Sequence, residues 1–303
     1  MKRVEELIDA STDVLDVLVI GGGPAGAACA LWTHQLGMKT LLVDAGLRIG
    51  GLQRFSPYTN VWMPGLVGRT GQEIATALHS HVVAAGVPHA LGSRVTALRR
   101  QEALSAWEVL AESRATLARH VVLATGSRPR SAGFVESDRV GIGPGMSMEL
   151  LEVEGRRVAI LGGGDNAFDQ AVFALRRGAR TVDIHCRGTP RAQPLLQRRF
   201  PASNVHIGPI HVDLPRMMVA GRQYDVLGVQ FGFDANLPPG IEVPLRDGCI
   251  AVDRTGAVPG HPGLYAAGEV TNFWHPCVTT SYGHGIQVAK SIQAALRVTE
   301  SQS

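Results

Sequence analysis

The chain reads as an α/β protein of two parallel-sheet units, the second inserted in the first, and three observations carry that prediction. One grammar occurs twice: a short β-branched run, a glycine cluster, then a small-residue helix that returns to a strand. DVLVI (16–20), GGGPAG (21–26) and AACALWTHQLG lead to LLVD (41–44), while RVAIL (157–161), GGGDNA (162–167) and FDQAVFALRRG lead to TVDIHC (181–186). Such units lay their strands in parallel and bury the helix on the sheet, so two Rossmann-like dinucleotide-binding domains are expected. Glycine is also abundant, at 36 of 303 residues, as many tight turns require. Finally, the punctuation GSRPRSAG (126–133) and FDANLPPG (233–240) brackets the second unit as an insertion.

In the first unit each loop residue has a physical task. Gly21 permits the turn out of the strand, Gly23 lets the backbone approach a pyrophosphate, and Gly26 lets the helix pack close to the strand. Gly22, Pro24 and Ala25 complete the loop, and the helix it opens presents amide N–H groups and a positive dipole end to phosphate. Asp44, followed by Ala45, closes the next strand, where an acid hydrogen-bonds an adenosine ribose hydroxyl. Next come SRVTAL (93–98) and WEVLAE (107–112) as paired strands, then HVVLATG (120–126). The first thirteen residues are an extension that neither unit requires.

The second loop uses alanine in its last position: Gly162, Gly163, Gly164, Asp165, Asn166, Ala167. Its following strand ends in His185-Cys186-Arg187, with Arg191 four residues on, rather than in an acid. Guanidinium groups there suit a 2′-phosphate, which favours NADPH over NADH, the alternative being a solvated basic face. Cys186 is expected as a small neighbour of the phosphate.

The bulk numbers exclude several classes. A formal charge of +3 and 5% aromatic residues are too little for a nucleic-acid surface, although arginines gather at 94–100 and 187–199. No apolar run approaches the roughly 18 residues that span a bilayer. MKRVEELIDASTD lacks a continuous apolar stretch, so a cytoplasmic protein without a leader is expected. The four cysteines, Cys29, Cys186, Cys249 and Cys277, form no Cys-x-x-Cys, and His79-x-His81 has no acidic or cysteine company, so neither disulfide nor metal is expected.

Read together, VIGGGPAG (19–26), GGLQ (50–53), Pro64-Gly65, LATG (123–126), LGGGDNA (161–167), HCRGTPR (185–191) and GLYAAGEV (263–270) resemble the thioredoxin-reductase-like flavoproteins. These are the low-molecular-weight branch of the two-dinucleotide-domain disulfide oxidoreductases, and the resemblance runs over most of the chain. It implies that Gly21 to Gly26, Asp44, Ala45, Gly51, Gln53, Ala124, Thr125, Gly126, Gly268 and Glu269 hold FAD, and that Gly162 to Ala167 with Arg187 and Arg191 hold NADPH. It also implies a helix start at HPCVTTSYGHG (275–285) against the flavin, with Pro276 and Thr279 or Thr280 as start signals, Thr279 and Thr280 contacting FAD, and a homodimer. On this basis residues 1–128 and 239–303 form the FAD domain and 129–238 a shortened NAD(P)H domain.

Four departures shape the functional expectation. GIGPGMSMELLEVEGRR (141–157) holds no cysteine where thioredoxin reductases carry Cys-x-x-Cys. Glu269 replaces an aspartate, Trp62 stands where the family has a flavin-side asparagine, and the stretch from Arg191 to Phe233 is short. The resemblance therefore implies an FAD-dependent oxidoreductase that passes electrons from NADPH directly to an acceptor other than a dithiol protein: a small acidic redox protein such as ferredoxin or flavodoxin, a small molecule or oxygen. One alternative is a one-cysteine disulfide reductase, with Cys277, on the family's glutamine position, as catalytic thiol at a helix start; in the other reading of that sulfur it only fills space. The other alternative is a flavin-binding protein with little turnover.

Overall fold

The computed structural model describes residues 14–112 and 114–300, so the thirteen-residue extension, and the start from which the cytoplasmic expectation was read, lie outside the described residues. The described residues up to Ser127 and from Ala235 onward form one unit, and Arg128–Asp234 form the second.

The first unit contains β1 (Leu15–Ile20), α1 (Pro24–Gln35), β2 (Thr40–Asp44), α2 (Gly71–Ala84), β3 (His89–Leu91), β4 (Val95–Gln101), β5 (Ala106–Ala111) and β6 (Arg114–Leu123). Strands β1 and β2 each carry an unbroken apolar run, residues 17–20 and 41–43, because both faces of the sheet are covered there. Val17, Val19 and Leu42 join one core with Ala27 and Ala30 of α1, while Leu18, Ile20 and Leu41 join another on the opposite face. The sheet runs β3-β2-β1-β6-β5-β4, parallel from β3 to β6 and then antiparallel. The expected strands at 93–98 and 107–112 are the β4–β5 pair.

The chain leaves through β7 (Ser127–Pro129). The second unit holds β8 (Val140–Ile142), α3 (Met146–Glu149), β9 (Arg157–Leu161), α4 (Asp165–Arg176), β10 (Thr181–Cys186), α5 (Pro194–Gln197), β11 (Val205–Ile207), β12 (Val212–Asp213), β13 (Met218–Val219), β14 (Arg222–Gln223) and β15 (Val226–Val229), and the chain returns through β16 (Phe233–Ala235), which pairs with β7. Its sheet is parallel throughout, in the order β11-β10-β9-β15-β8. The chain thus departs from β9 first to one side and later to the other, and the crevice beyond such a switch point is where α/β sheets bind ligands. α4 covers one face with Phe168 and Ala171. The short β12–β13–β14 meander covers the other, placing Met217, Val219 and Tyr224 over Leu161, Leu227 and Val229.

The sequence placed the return crossing at 238/239, four residues beyond the observed 234/235. The reason is Asn236, which already belongs to the first unit: its N–H donates to the Gly126 carbonyl (2.9 Å) and its Nδ2 to the Thr125 carbonyl (3.2 Å). Beyond it lie β17 (Leu245–Arg246) and β18 (Cys249–Ile250), a small antiparallel pair, β19 (Leu264–Ala266), which extends the parallel sheet beside β6, and α6 (Val278–Glu300).

Candidate functional site

In the first unit the glycine loop, the Ala124–Gly126 segment and Gly51 come together at the ends of β1 and β6. Gly21 has φ +106°, and a Cβ there would lie 2.4 Å from the Ala124 carbonyl oxygen. A Cβ on Gly26 would lie 1.8 Å from the Gly21 oxygen, so α1 starts directly against the loop. Gly23 differs: the nearest atom to its missing Cβ is the Gly51 Cα at 3.8 Å, leaving room in front of the first turn of α1. Asp44 is tied to this loop, accepting from the Gly22 N–H through one oxygen and from the Gly46 N–H through the other. Each carboxylate oxygen retains a lone pair for a further donor. Thr125 Oγ1 is buried and has no partner among the described residues. An open glycine cradle, a carboxylate at the strand end and an orphaned hydroxyl together fit a dinucleotide. Gln53 lies in the short helical turn Gly51–Phe55 and its Oε1 reaches the start of α2, where a Cβ on Gly71 would meet it at 2.8 Å, and Ala45 is exposed. Trp62 is also exposed, its N–H donating to Asn60 Oδ1 (2.9 Å).

Glu269 is brought to the same edge. Its Oε2 accepts from Ser127 Oγ (2.7 Å), just past the Ala-Thr-Gly segment. Gly268, at φ +80°, donates its N–H to His284 Nδ1 (3.2 Å). Burial depresses His284 to about 4, which keeps the ring neutral and its Nδ1 an acceptor. Gly268, Glu269, Trp274, His275, Ser281 and His284 line a small cleft there. Ser127 and His284 carried no signal in the sequence, because their partners are 142 and 16 residues away.

The start of α6 differs from the expectation of Thr279 or Thr280. The helix begins at Val278 and its cap is Cys277, whose carbonyl accepts from the Ser281 N–H (3.0 Å) and whose sulfur accepts from the Thr280 N–H (3.4 Å). Thr280 cannot cap because its hydroxyl points back, donating to the His275 carbonyl (2.6 Å). Thr279 is exposed.

The second unit repeats the cradle. Gly162 has φ +142° and packs on the Gln230 backbone, Gly163 faces Cys186, and Gly164 faces no atom of the described residues within 4 Å of its missing Cβ. Ala167, in the first turn of α4, is buried, and Asp165 Oδ1 accepts from the Gln193 N–H (2.7 Å). The Gly163 carbonyl accepts from both the Arg191 (2.7 Å) and Ala192 (3.1 Å) N–H groups, folding the segment after β10 against the loop. Arg187 and Arg191 are exposed there, as a 2′-phosphate would need, and burial pushes the Cys186 thiol up, away from thiolate chemistry.

Beneath this loop is a chain of polar side chains that sequence reasoning missed. Tyr224 Oη donates to Asp183 Oδ2 (2.8 Å) and meets His185 Nε2 (2.8 Å), while His206 Nε2 meets Asp183 Oδ1 (3.1 Å). Burial, helped by neighbouring His206, holds His185 down at about 4, and its carbonyl accepts from the Gly162 N–H (2.9 Å). The alternation of Asp183 and His185 along β10 is visible in the sequence, but their partners come from β11 and from Tyr224, between β14 and β15. Among the described residues no group of histidine, cysteine and acidic side chains could hold a metal, and no helix is long and apolar enough to cross a membrane.

A fold of two glycine-loop units, one inserted in the other, defines a dinucleotide-binding flavoprotein architecture. The sequence profile of the pyridine nucleotide-disulphide oxidoreductase family matches residues 15–209, well over half the chain, and the chain belongs to that family, whose members are oxidoreductases that use FAD and NADPH. It is 28% identical over 191 residues to a thioredoxin reductase of Bacillus subtilis, covering 61% of this chain and 58% of that protein, so the alignment spans little more than half of the relative's length. A ferredoxin--NADP reductase of Limosilactobacillus fermentum is 26% identical over 285 residues, covering 84% of this chain and 85% of that one. The crystal structure of Lactococcus lactis thioredoxin reductase shares the fold with a TM-score of 0.78, at 22% identity, covering 92% of this chain and 98% of that one.

Proposed function

We propose that this chain takes electrons from NADPH onto FAD and delivers them directly to an acceptor that is not a dithiol protein. FAD, when bound, supplies two-electron acceptance from a reduced pyridine nucleotide. The chain's own residues do the rest. The loop at Gly21 to Gly26 and Asp44 would hold the adenosine and pyrophosphate of FAD, with Thr125, Gly126, Gly268 and Glu269 along the flavin side. The N-terminus of α6, capped by Cys277, would set its positive end where charge builds up on reduction. Gly162 to Ala167 would hold the pyrophosphate of NADPH, with Arg187 and Arg191 on the 2′-phosphate.

The observation that carries this reading is the pair of glycine cradles, each with an open middle glycine, in a chain whose segment 141–157 contains no cysteine. With no cysteine in that segment, no dithiol relay through it is available, and on this reading the electrons leave from the flavin itself. The arginines at 187–199 favour a small acidic redox protein as acceptor, and the Limosilactobacillus relative named for ferredoxin supports that choice.

Anaerobic mixing with NADPH and with NADH is the test. The flavin band should bleach faster with NADPH, and reoxidation should follow addition of ferredoxin, flavodoxin, a quinone or oxygen, but not of thioredoxin. A band that bleaches with neither nucleotide overturns the proposal.

A further inference from the structure

Gln230 is the first residue beyond β15 and is 6% exposed, and both its backbone N–H and its amide nitrogen are hydrogen-bonded. Its N–H donates to the Leu161 carbonyl (2.7 Å), at the last residue of β9. Its Cβ would lie 3.3 Å from a Cβ on Gly162, so the side chain starts beside the first glycine of the second loop. Its Nε2 donates to the Gly143 carbonyl (2.9 Å), which settles the amide orientation, since the reverse would set two acceptors face to face. The remaining atom, Oε1, is buried and has no donor among the described residues. A buried carbonyl oxygen without a hydrogen bond is destabilised, and a ligand that brings a donor relieves it.

The strand order says which donor. Arg187 and Arg191 follow β10, on one side of β9, and that side therefore takes the adenosine half of the dinucleotide. β15 is the neighbour of β9 on the other side, so a residue at its end faces the nicotinamide half. Phosphate oxygens are acceptors and cannot satisfy Oε1, whereas a ribose hydroxyl or the carboxamide N–H₂ of that half can. We infer that Gln230 is a binding residue for the nicotinamide half of NADPH, accepting a hydrogen bond from its ribose hydroxyl or its carboxamide. This rests on the reading of the second loop as the NADPH site.

The test compares three ligands on FAD-loaded protein by calorimetry: NADP⁺, 2′-phospho-ADP-ribose, which lacks only nicotinamide, and 2′,5′-ADP, which carries the adenosine half alone. Gln230→Met keeps the length and removes the acceptor, with Gln230→Ala as second variant if it loads FAD poorly. The expected result is a loss of about ten- to a hundredfold in NADP⁺ affinity with 2′,5′-ADP unchanged. Loss for 2′-phospho-ADP-ribose as well assigns the ribose hydroxyl, and loss for NADP⁺ alone assigns the carboxamide. Equal loss for all three ligands, or for none, overturns the inference while leaving the site reading intact. Wild-type protein that binds none of the three overturns that reading and the inference with it.

Discussion

The two glycine loops share a pattern but not a mechanical role at each position, and the difference is measurable one residue at a time. Gly26 is glycine for packing: a methyl group would sit 1.8 Å from a backbone oxygen that has nowhere to go. Gly26→Ala should therefore destabilise the fold by about 1–3 kcal/mol through overpacking and cost flavin loading together with it. Gly164 differs: its φ is −93°, which any residue adopts, and its missing Cβ meets no atom of the described residues within 4 Å, so its glycine is explained by a ligand in that space. Gly164→Ala should leave the stability within about 0.5 kcal/mol of wild type while weakening NADP⁺ binding. Thermal unfolding, flavin absorbance and NADP⁺ titration of the two variants separate these effects. A Gly164 variant that loses stability without losing nucleotide would mean that the open space serves the fold.

At the scale of elements, most of what positions the site could be read from the sequence, and what could not was non-local. β1, β9, β10 and the helices after both loops follow from apolar runs broken by glycine clusters, signals confined to about twenty residues. Proline at 276 announced a helix start, yet the residue that caps α6 is Cys277, which is not among the residues favoured at that position. Likewise Ser127 beside Glu269, and the Tyr224 bridge between His185 and Asp183, depend on tertiary pairing that no local pattern encodes. The cap bond gives the Cys277 sulfur a structural use, and this separates two readings of it. Cys277→Ser retains a capping atom and should hold stability, whereas Cys277→Ala should lose about 1 kcal/mol. If the sulfur only caps, the serine variant passes electrons to every acceptor at the wild-type rate. A serine variant that folds normally, reduces with NADPH and no longer turns over a disulfide substrate would make Cys277 a redox thiol.

For the whole molecule, buried titratable groups distributed over both units predict how stability responds to pH. His120 and His284 in the first unit and His185 in the second are each depressed to about 4, mainly by burial. In the unfolded chain a histidine titrates near 6.5, so between pH 6.5 and 4 the unfolded state binds protons that the native state refuses. The stability these rings contribute is complete above about pH 6.5 and is lost as pH falls toward 4. Asp225 acts in a separate, lower window: hydrogen bonds from the Arg157 side chain and N–H hold it at about 2, so its contribution disappears only below the ordinary carboxylate range near 3.8. The alkaline side has the opposite sign. Burial raises Cys29 to about 12, and burial with the Asp183 hydrogen bond raises Tyr224, so the unfolded chain releases protons first and stability falls above about pH 9. Urea midpoints of the FAD-loaded protein measured from pH 4 to 11 should show a plateau between about 6.5 and 9 with a fall on each side. Unfolding near pH 5 should take up protons, and replacing His284 by glutamine should lower that uptake by about one. A midpoint that is flat from pH 6.5 to 4.5 would show that these rings are not held neutral. The bond from the Gly268 N–H to His284 would then have to be redrawn, since a protonated ring cannot accept it.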